Sequence, residues 1–236
     1  KINVAVPTGN FGNILAAYLA KQMGVPIGKL ICASNENKVL YDFFATGTYD
    51  KNREFILTTS PSMDILISSN LERLIYLSAG CDPKENEKLM SQLSREGKYT
   101  ITDEMKAFLS DFYGGYATEE ENRQMIRKVF DDTGYLIDTH TGVAAAVYEK
   151  YKKETGDQTK TVIASTASPY KFSGSVLEAI EGRKEEGDEF AVIDRLHQLS
   201  GLPIPQAVEE IRTAPIRHNL ECGKDEMKEL VRSLLA

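Results

Sequence analysis

Short β-branched runs alternate with stretches of helical spacing along most of the chain. This alternation predicts a parallel sheet whose strands are joined by helices. The predicted strands are Asn3 to Val6, Lys29 to Ala33, Tyr135 to Ile137 and Thr161 to Ala164. We therefore expect an α/β fold, a three-layer parallel sheet with helices on both faces.

The stretch from Asp82 to Asp132 interrupts this pattern, because it is the most charged part of the chain and has helical spacing of its apolar residues. It predicts a helical insertion in which Gly114-Gly115 forms a break. The chain then divides into residues 1–81, a first part of the α/β domain, residues 82–132, the insertion, and residues 133–236, the second part with C-terminal helices.

The first strand leads into a glycine loop and then a helix. Pro7 ends the strand, Gly9 and Gly12 bracket the loop, and helical spacing begins at Ile14. The first amides of a helix have no partner within it, so such a loop is suited to an anion, most often a phosphate. Many α/β proteins also have a glycine turn of this kind that binds nothing.

Two named phosphate motifs can be compared with this loop. A P-loop requires Lys and then Ser or Thr after its second glycine, but Asn13 and Ile14 stand there, which excludes it. A dinucleotide fingerprint requires three glycines and an acidic residue for the ribose. The loop has only Gly9 and Gly12, although Glu36 could serve as the acid, so this interpretation is weakened.

Composition places the chain among ordinary globular proteins and narrows its partners. It has 236 residues, 42% hydrophobic and 27% charged, with a formal net charge of −7. The acidic balance argues against nucleic acid and anionic membranes, and no apolar run approaches the roughly 20 residues of a membrane helix. Cys32, Cys81 and Cys222 form neither a disulfide framework nor a zinc pattern, which favours the cytoplasm.

Three further polar residues stand out from their surroundings. Asp64 and Arg73 lie on largely apolar segments, and we interpret them as a structural ion pair or helix caps rather than catalytic groups. His140 follows a predicted strand, where a cap or spacer is the more common role and acid–base catalysis is the alternative. No second His or Cys lies near it in the pattern, so no metal site is predicted.

Five motifs in order resemble threonine synthase of the bacterial and fungal branch, over nearly the whole chain. They are PTGNFGN (Pro7 to Asn13), NEN (Asn35 to Asn37), SPSMDILISSNLERL (Ser60 to Leu74), DTHTG (Asp138 to Gly142) and STASPYKF (Ser165 to Phe172). That family has the tryptophan-synthase-β-like fold of pyridoxal-phosphate enzymes, fold type II.

The resemblance implies an activity and a cofactor site. Threonine synthase converts O-phospho-L-homoserine and water to L-threonine and phosphate, with pyridoxal 5'-phosphate as electron sink. The hydroxyl group of Thr166, in the late S-T-A motif, is then expected to form a hydrogen bond with the pyridine nitrogen. Ser168 stands where some relatives have His. The residues expected to hold the cofactor phosphate are Gly9, Asn10, Phe11, Gly12 and Asn13.

The family's Schiff-base lysine lies N-terminal to the glycine loop, and no lysine here stands in that context. We therefore expect the C-terminal part of a threonine synthase, which carries half of the cofactor site, no catalytic residue and no activity alone. The opening Lys1, in place of Met, suggests that preceding residues were removed or not included. A dehydrogenase domain that uses Glu36 and a non-catalytic scaffold module are the alternatives.

Overall fold

The computed structural model describes residues 1–184 and 187–235. The chain separates into two compact units, Lys1–Leu202 and Pro203–Ala236. Among the described residues, the first unit contains all of the strands and all of the candidate site residues. The described part of the second has two short helices with irregular segments around them.

Four of the six strands in the described residues form one parallel sheet. Its order is β5-β2-β1-β6, and Val4 of the first strand lies opposite Leu30 on one side and Val162 on the other. The remaining two strands form a separate antiparallel pair. The strands are β1 (Ile2–Pro7), β2 (Ile27–Ser34), β3 (Thr48–Asp50), β4 (Lys98–Thr100), β5 (Phe112–Tyr116) and β6 (Thr161–Ile163).

Helices fill the connections between the strands. Short 3₁₀ turns at Pro61–Met63, Leu109–Asp111 and Pro169–Phe172 supplement them. The helices of the first unit are α1 (Gly12–Gln22), α2 (Val39–Thr46), α3 (Leu71–Ser78), α4 (Pro83–Glu96), α5 (Asp103–Phe108), α6 (Glu119–Thr133), α7 (Thr139–Thr155), α8 (Ser173–Glu181) and α9 (Glu189–Ser200). The second unit has α10 (Gln206–Thr213) and α11 (Met227–Leu235).

Helices cover both faces of the sheet, as the sequence predicted. Helix α7 packs on one face, where Ile31 and Ala33 meet Val143. Helices α1 and α2 pack on the other, where Leu30 and Cys32 join the larger core. Since successive strand residues point to opposite faces, a strand buried on both sides is a continuous apolar run, and residues 30–33 of β2 have this pattern.

The third predicted strand is wrong. Tyr135 to Ile137 is an irregular segment before α7, and the strand that joins the sheet is β5, within the stretch expected to be helical. A Cβ on Gly114 would lie 2.9 Å from Phe44 Cβ, and one on Gly115 would lie 2.5 Å from Val147 Cγ1. The two glycines therefore let helices approach an edge strand on both faces, rather than break a helix.

The charged stretch from Asp82 to Asp132 is thus only partly helical. Helices α4, α5 and α6 lie in it, but so do β4 and β5, and β5 belongs to the main sheet. The proposed division of the chain at residues 81 and 132 stays a prediction. None of the helices in the described part of the chain is long and apolar enough to cross a membrane.

Candidate functional site

A cleft of about 230 Å³ lies at the carboxyl ends of β1 and β6. These strands are parallel neighbours, so the loops that follow them emerge at the same edge of the sheet. The structure therefore brings Thr166 together with the predicted glycine-loop residues. The cleft is lined by residues 6–14, Ser62, Met63, Asn70, His140 and Thr166.

The glycine loop presents a row of free backbone amides. In the described residues, none of the N–H groups of residues 9–14 donates a hydrogen bond, and the first that does is Leu15 N, to Phe11 O at 3.2 Å. Phe11 has a φ of 64°, an unusual conformation for a residue other than glycine. Its ring is buried, and the centroid of the ring lies 5.8 Å from that of Phe112 and 6.2 Å from that of Phe44. This packing stabilises the unusual backbone conformation.

Residues 68–70 donate hydrogen bonds to the oxygen atoms of the glycine loop. Ser68 Oγ donates to Gly9 O at 2.7 Å, and Asn70 Nδ2 donates to Asn10 O at 2.9 Å. Ser69 donates from N and Oγ to the Asn10 side chain at 3.0 and 2.6 Å. The carbonyls are satisfied while the amides are not, so the loop is arranged to receive an acceptor such as a phosphate.

His140 is positioned by the start of α7, and not by a strand-end loop as the sequence indicated. The buried Asp138 caps that helix through His140 N at 2.8 Å, and its carboxylate also lies 3.1 Å from His140 Nδ1. On the other side of the ring, Ser62 N donates to Nε2 at 3.2 Å. Because Nε2 accepts, the proton of the neutral imidazole is on Nδ1 and points to Asp138.

The environment of Asp138 favours its charged form. Burial raises the pKa of this carboxyl group, but hydrogen bonds from His140 and Thr141 outweigh that effect and hold the pKa below its ordinary value of 3.8. Thr141 Oγ1 donates to Asp138 Oδ2 and shares a hydrogen bond of 3.0 Å with Ser165 Oγ. An ionised carboxylate thus lies beneath the cleft.

Asp64 is structural, but it is not paired with Arg73. Its Oδ1 accepts from Asn35 Nδ2 at 2.7 Å, Asn37 Nδ2 at 3.0 Å and Thr58 Oγ1 at 2.7 Å, while Oδ2 accepts from Thr58 N at 2.8 Å. Arg73 is exposed. The carboxylate thus connects the loop after β2 to the segment that carries Ser62.

Glu36 does not line the cleft. Its Oε1 accepts from Glu119 N at 3.0 Å, at the start of α6. This carboxylate is therefore engaged as a helix cap, and the structure offers no support for its use at a ribose. The part of the chain that the structure describes contains no group of three or more His, Cys, Asp or Glu side chains that could hold a metal ion.

Known proteins similar to this chain are threonine synthases and their relatives. Residues 141–216 match the family described as "Threonine synthase, C-terminal". Human "Threonine synthase-like 1" is 41% identical over 182 residues, which is 76% of this chain and 24% of that protein.

Solved structures similar to it include two crystal structures of threonine synthases. Threonine synthase from yeast superposes with a TM-score of 0.84 at 30% identity, over 99% of this chain and 47% of that one. The second, described as PLP-bound threonine synthase from Brucella melitensis, has a TM-score of 0.70 at 35% identity, over 84% and 46%. The chain thus spans less than half the length of these relatives.

Proposed function

Because this chain belongs to the threonine synthase family, we propose that it forms part of an enzyme that uses pyridoxal 5'-phosphate. The reaction is the conversion of O-phospho-L-homoserine and water to L-threonine and phosphate. When bound, the cofactor supplies an electron sink for carbanions of the substrate. The residues of this chain bind and orient the cofactor, and the small-molecule substrate meets it at the edge of the sheet.

The observation that carries this proposal is the row of free amides at residues 9–14. A phosphate group can accept several N–H bonds at once, and the first turn of α1 adds the positive end of its dipole. A Cβ on Gly9 would lie 2.7 Å from Ser62 O, so only glycine lets the loop come this close to its neighbour. The chemistry of the loop therefore fits the phosphate of the cofactor.

Thr166 lies in the same cleft, in the loop after β6. A hydroxyl group there can hydrogen-bond a pyridine nitrogen, and being neutral it does not force protonation of that nitrogen as a carboxylate would. The two loops together would orient the cofactor, with its phosphate at Gly9 to Asn13 and its ring nitrogen at Thr166. No lysine or arginine of the described residues lines this cleft, so we expect free phosphate to bind weakly.

We further propose a cytoplasmic location, because Cys32, Cys81 and Cys222 are all free. A nucleic-acid or membrane partner does not fit the net charge of −7. A nucleotide-binding dehydrogenase domain is disfavoured, since the carboxylate it would need, Glu36, caps α6 instead.

The proposal is tested by NMR titration of the ¹⁵N-labelled chain with pyridoxal 5'-phosphate, inorganic phosphate and pyridoxal. We expect both phosphate-containing ligands to shift the amides of residues 9–14, and only the cofactor to shift Thr166 as well. Pyridoxal, which lacks the phosphate, is the matched control and should leave the glycine loop unchanged. Loop amides that respond to NADH but not to the cofactor would overturn the proposal.

Removing the hydroxyl in Thr166→Val leaves the ring nitrogen without its partner. The affinity for pyridoxal 5'-phosphate should fall by about 1–3 kcal/mol, roughly 5- to 150-fold, while that for inorganic phosphate stays unchanged. Thr166→Ser keeps the hydroxyl and is the control. Equal loss of both ligands in Thr166→Val would show that the substitution disturbs the cleft and does not remove a specific contact.

A further inference from the structure

We infer that Asp138 is a positioning residue for this site, an inference that rests on the function proposed above. Its carboxylate sets the tautomer of His140, and through that ring it holds the Ser62 backbone against the glycine loop. Through Thr141 it also holds the loop that carries Thr166. One buried charge thereby connects the two sides of the cleft.

The first connection runs from Asp138 to the glycine loop. The carboxylate lies 3.1 Å from His140 Nδ1, and the opposite ring nitrogen accepts from Ser62 N at 3.2 Å. The carbonyl of Ser62 lies against Gly9, where an added Cβ would be only 2.7 Å from it. A displacement of Ser62 would therefore move the surface on which the phosphate-binding loop rests.

The second connection runs from Asp138 to the other loop. Oδ2 accepts from Thr141 Oγ1, and the hydroxyl groups of Thr141 and Ser165 share a hydrogen bond of 3.0 Å. Ser165 directly precedes Thr166, whose hydroxyl is assigned to the ring nitrogen of the cofactor. The loop after β6 is exposed, so this link to a buried group restricts where Thr166 can lie.

These contacts exceed what capping α7 requires. A cap needs only one side-chain oxygen that accepts from the first amides of the helix, and Ser performs this as well as Asp. The contacts with the His140 ring and the Thr141 hydroxyl are additional. Since both ring nitrogens are occupied, His140 orients the backbone of Ser62 and is not a free acid or base in this arrangement.

The substitution Asp138→Ser separates the two roles. It keeps a capping oxygen at the start of α7 but removes Oδ2, which accepts from Thr141 Oγ1. It also replaces the carboxylate oxygen beside His140 Nδ1, which can only accept, by a neutral hydroxyl that can donate to the ring. At His140, Asn retains a donor near the Nδ1 position and leaves Ser62 N without an acceptor, whereas Gln places an oxygen near the Nε2 position. His140→Gln is therefore the conservative control for His140→Asn.

Two measurements on the full 236-residue chain test the inference. Long-range ¹H–¹⁵N NMR of the His140 ring should show the proton on Nδ1 in the wild type, with the proton redistributed towards Nε2 in Asp138→Ser. Titration with inorganic phosphate, followed at the amides of residues 9–14, should show about tenfold weaker binding in Asp138→Ser and His140→Asn, because the hydrogen bond from Ser62 N to His140 Nε2 is lost and the loop loses its support. His140→Gln should stay within about twofold of the wild type.

A wild-type ring with its proton on Nε2 would overturn the inference, and so would phosphate binding that both Asp138→Ser and His140→Asn leave unchanged. If Asp138→Ser does not fold, the wild-type tautomer and the pair of His140 variants still decide. Failure of the wild type to bind phosphate would instead refute the proposed function, and the tautomer measurement distinguishes that case.

Discussion

A methyl group added at Gly9 probes the packing on which the glycine loop depends. In Gly9→Ala the new Cβ would lie 2.7 Å from Ser62 O and 3.0 Å from Met63 Cα, both backbone atoms that cannot rotate away. Gly9 is not among the glycines with positive φ, so alanine fits its backbone conformation. The steric contact alone then decides the effect, and either the loop or the Ser62 segment must move.

The magnitude follows from two opposing terms. Overpacking of a tight contact costs about 1–3 kcal/mol, while replacing glycine by alanine stabilises by about 0.4–1 kcal/mol through the unfolded chain. We therefore expect a net loss of roughly 0–2.6 kcal/mol in the free energy of unfolding, with a central value of about 1.3 kcal/mol. Since the moved atoms belong to the anion site, phosphate binding should also weaken by roughly tenfold or more.

Urea denaturation and phosphate titration measure the two effects, with Gly12→Ala as the matched control for the stability measurement. A Cβ on Gly12 would lie 3.6 Å from Asn70 Nδ2, an ordinary contact, and the position begins a helix where alanine is favoured. Its stability should equal or exceed that of the wild type. A Gly9→Ala chain with wild-type stability and phosphate affinity would refute the reasoning.

Three further predictions concern the buried carboxylates and the lysines. Asp64→Ala removes the acceptor of Asn35, Asn37 and Thr58, so the free energy of unfolding should fall by about 2–4 kcal/mol, whereas an unchanged urea midpoint would contradict this role. Folding lowers the pKa of Asp138, so the carboxylate stabilises the folded chain above the ordinary pKa of 3.8, and this stabilisation is lost as the pH falls below it. The free energy of unfolding of the wild type should therefore fall more steeply below that pH than that of Asp138→Ser. Parallel pH curves for the two chains would contradict this prediction. No lysine of the described residues lines the cleft, so borohydride reduction with pyridoxal 5'-phosphate should give no single modified lysine by mass spectrometry, and this chain should release no phosphate from O-phospho-L-homoserine.

Local signals in the sequence were sufficient for the outline of the fold. Strands β1, β2 and β6 and the helix after the glycine loop were predicted because apolar periodicity and glycine placement act over a few residues. The same local signals predicted the fold class, which the structure confirms. The edge strand at Phe112–Tyr116 was missed. Its two glycines are required by close contacts with Phe44 and Val147, and both of these residues are distant in the chain.

The candidate site divides in a similar way. The sequence by itself predicted the loop of residues 9–13 and, through its resemblance, Thr166, as parts of one site. The structure places them in one cleft, since both follow strand ends that a parallel sheet brings to one edge. Their roles at the cofactor stay predictions. Only the tertiary structure decided the partners of Asp64, Asp138 and His140. Asp64 accepts from Asn35 and Asn37, and His140 accepts from Ser62, so these contacts join segments distant in the chain. Hydrogen bonds between distant segments form no periodic pattern that a sequence displays. The partners of Asp138 are local, at His140 and Thr141, but their side-chain geometry is visible only in the structure.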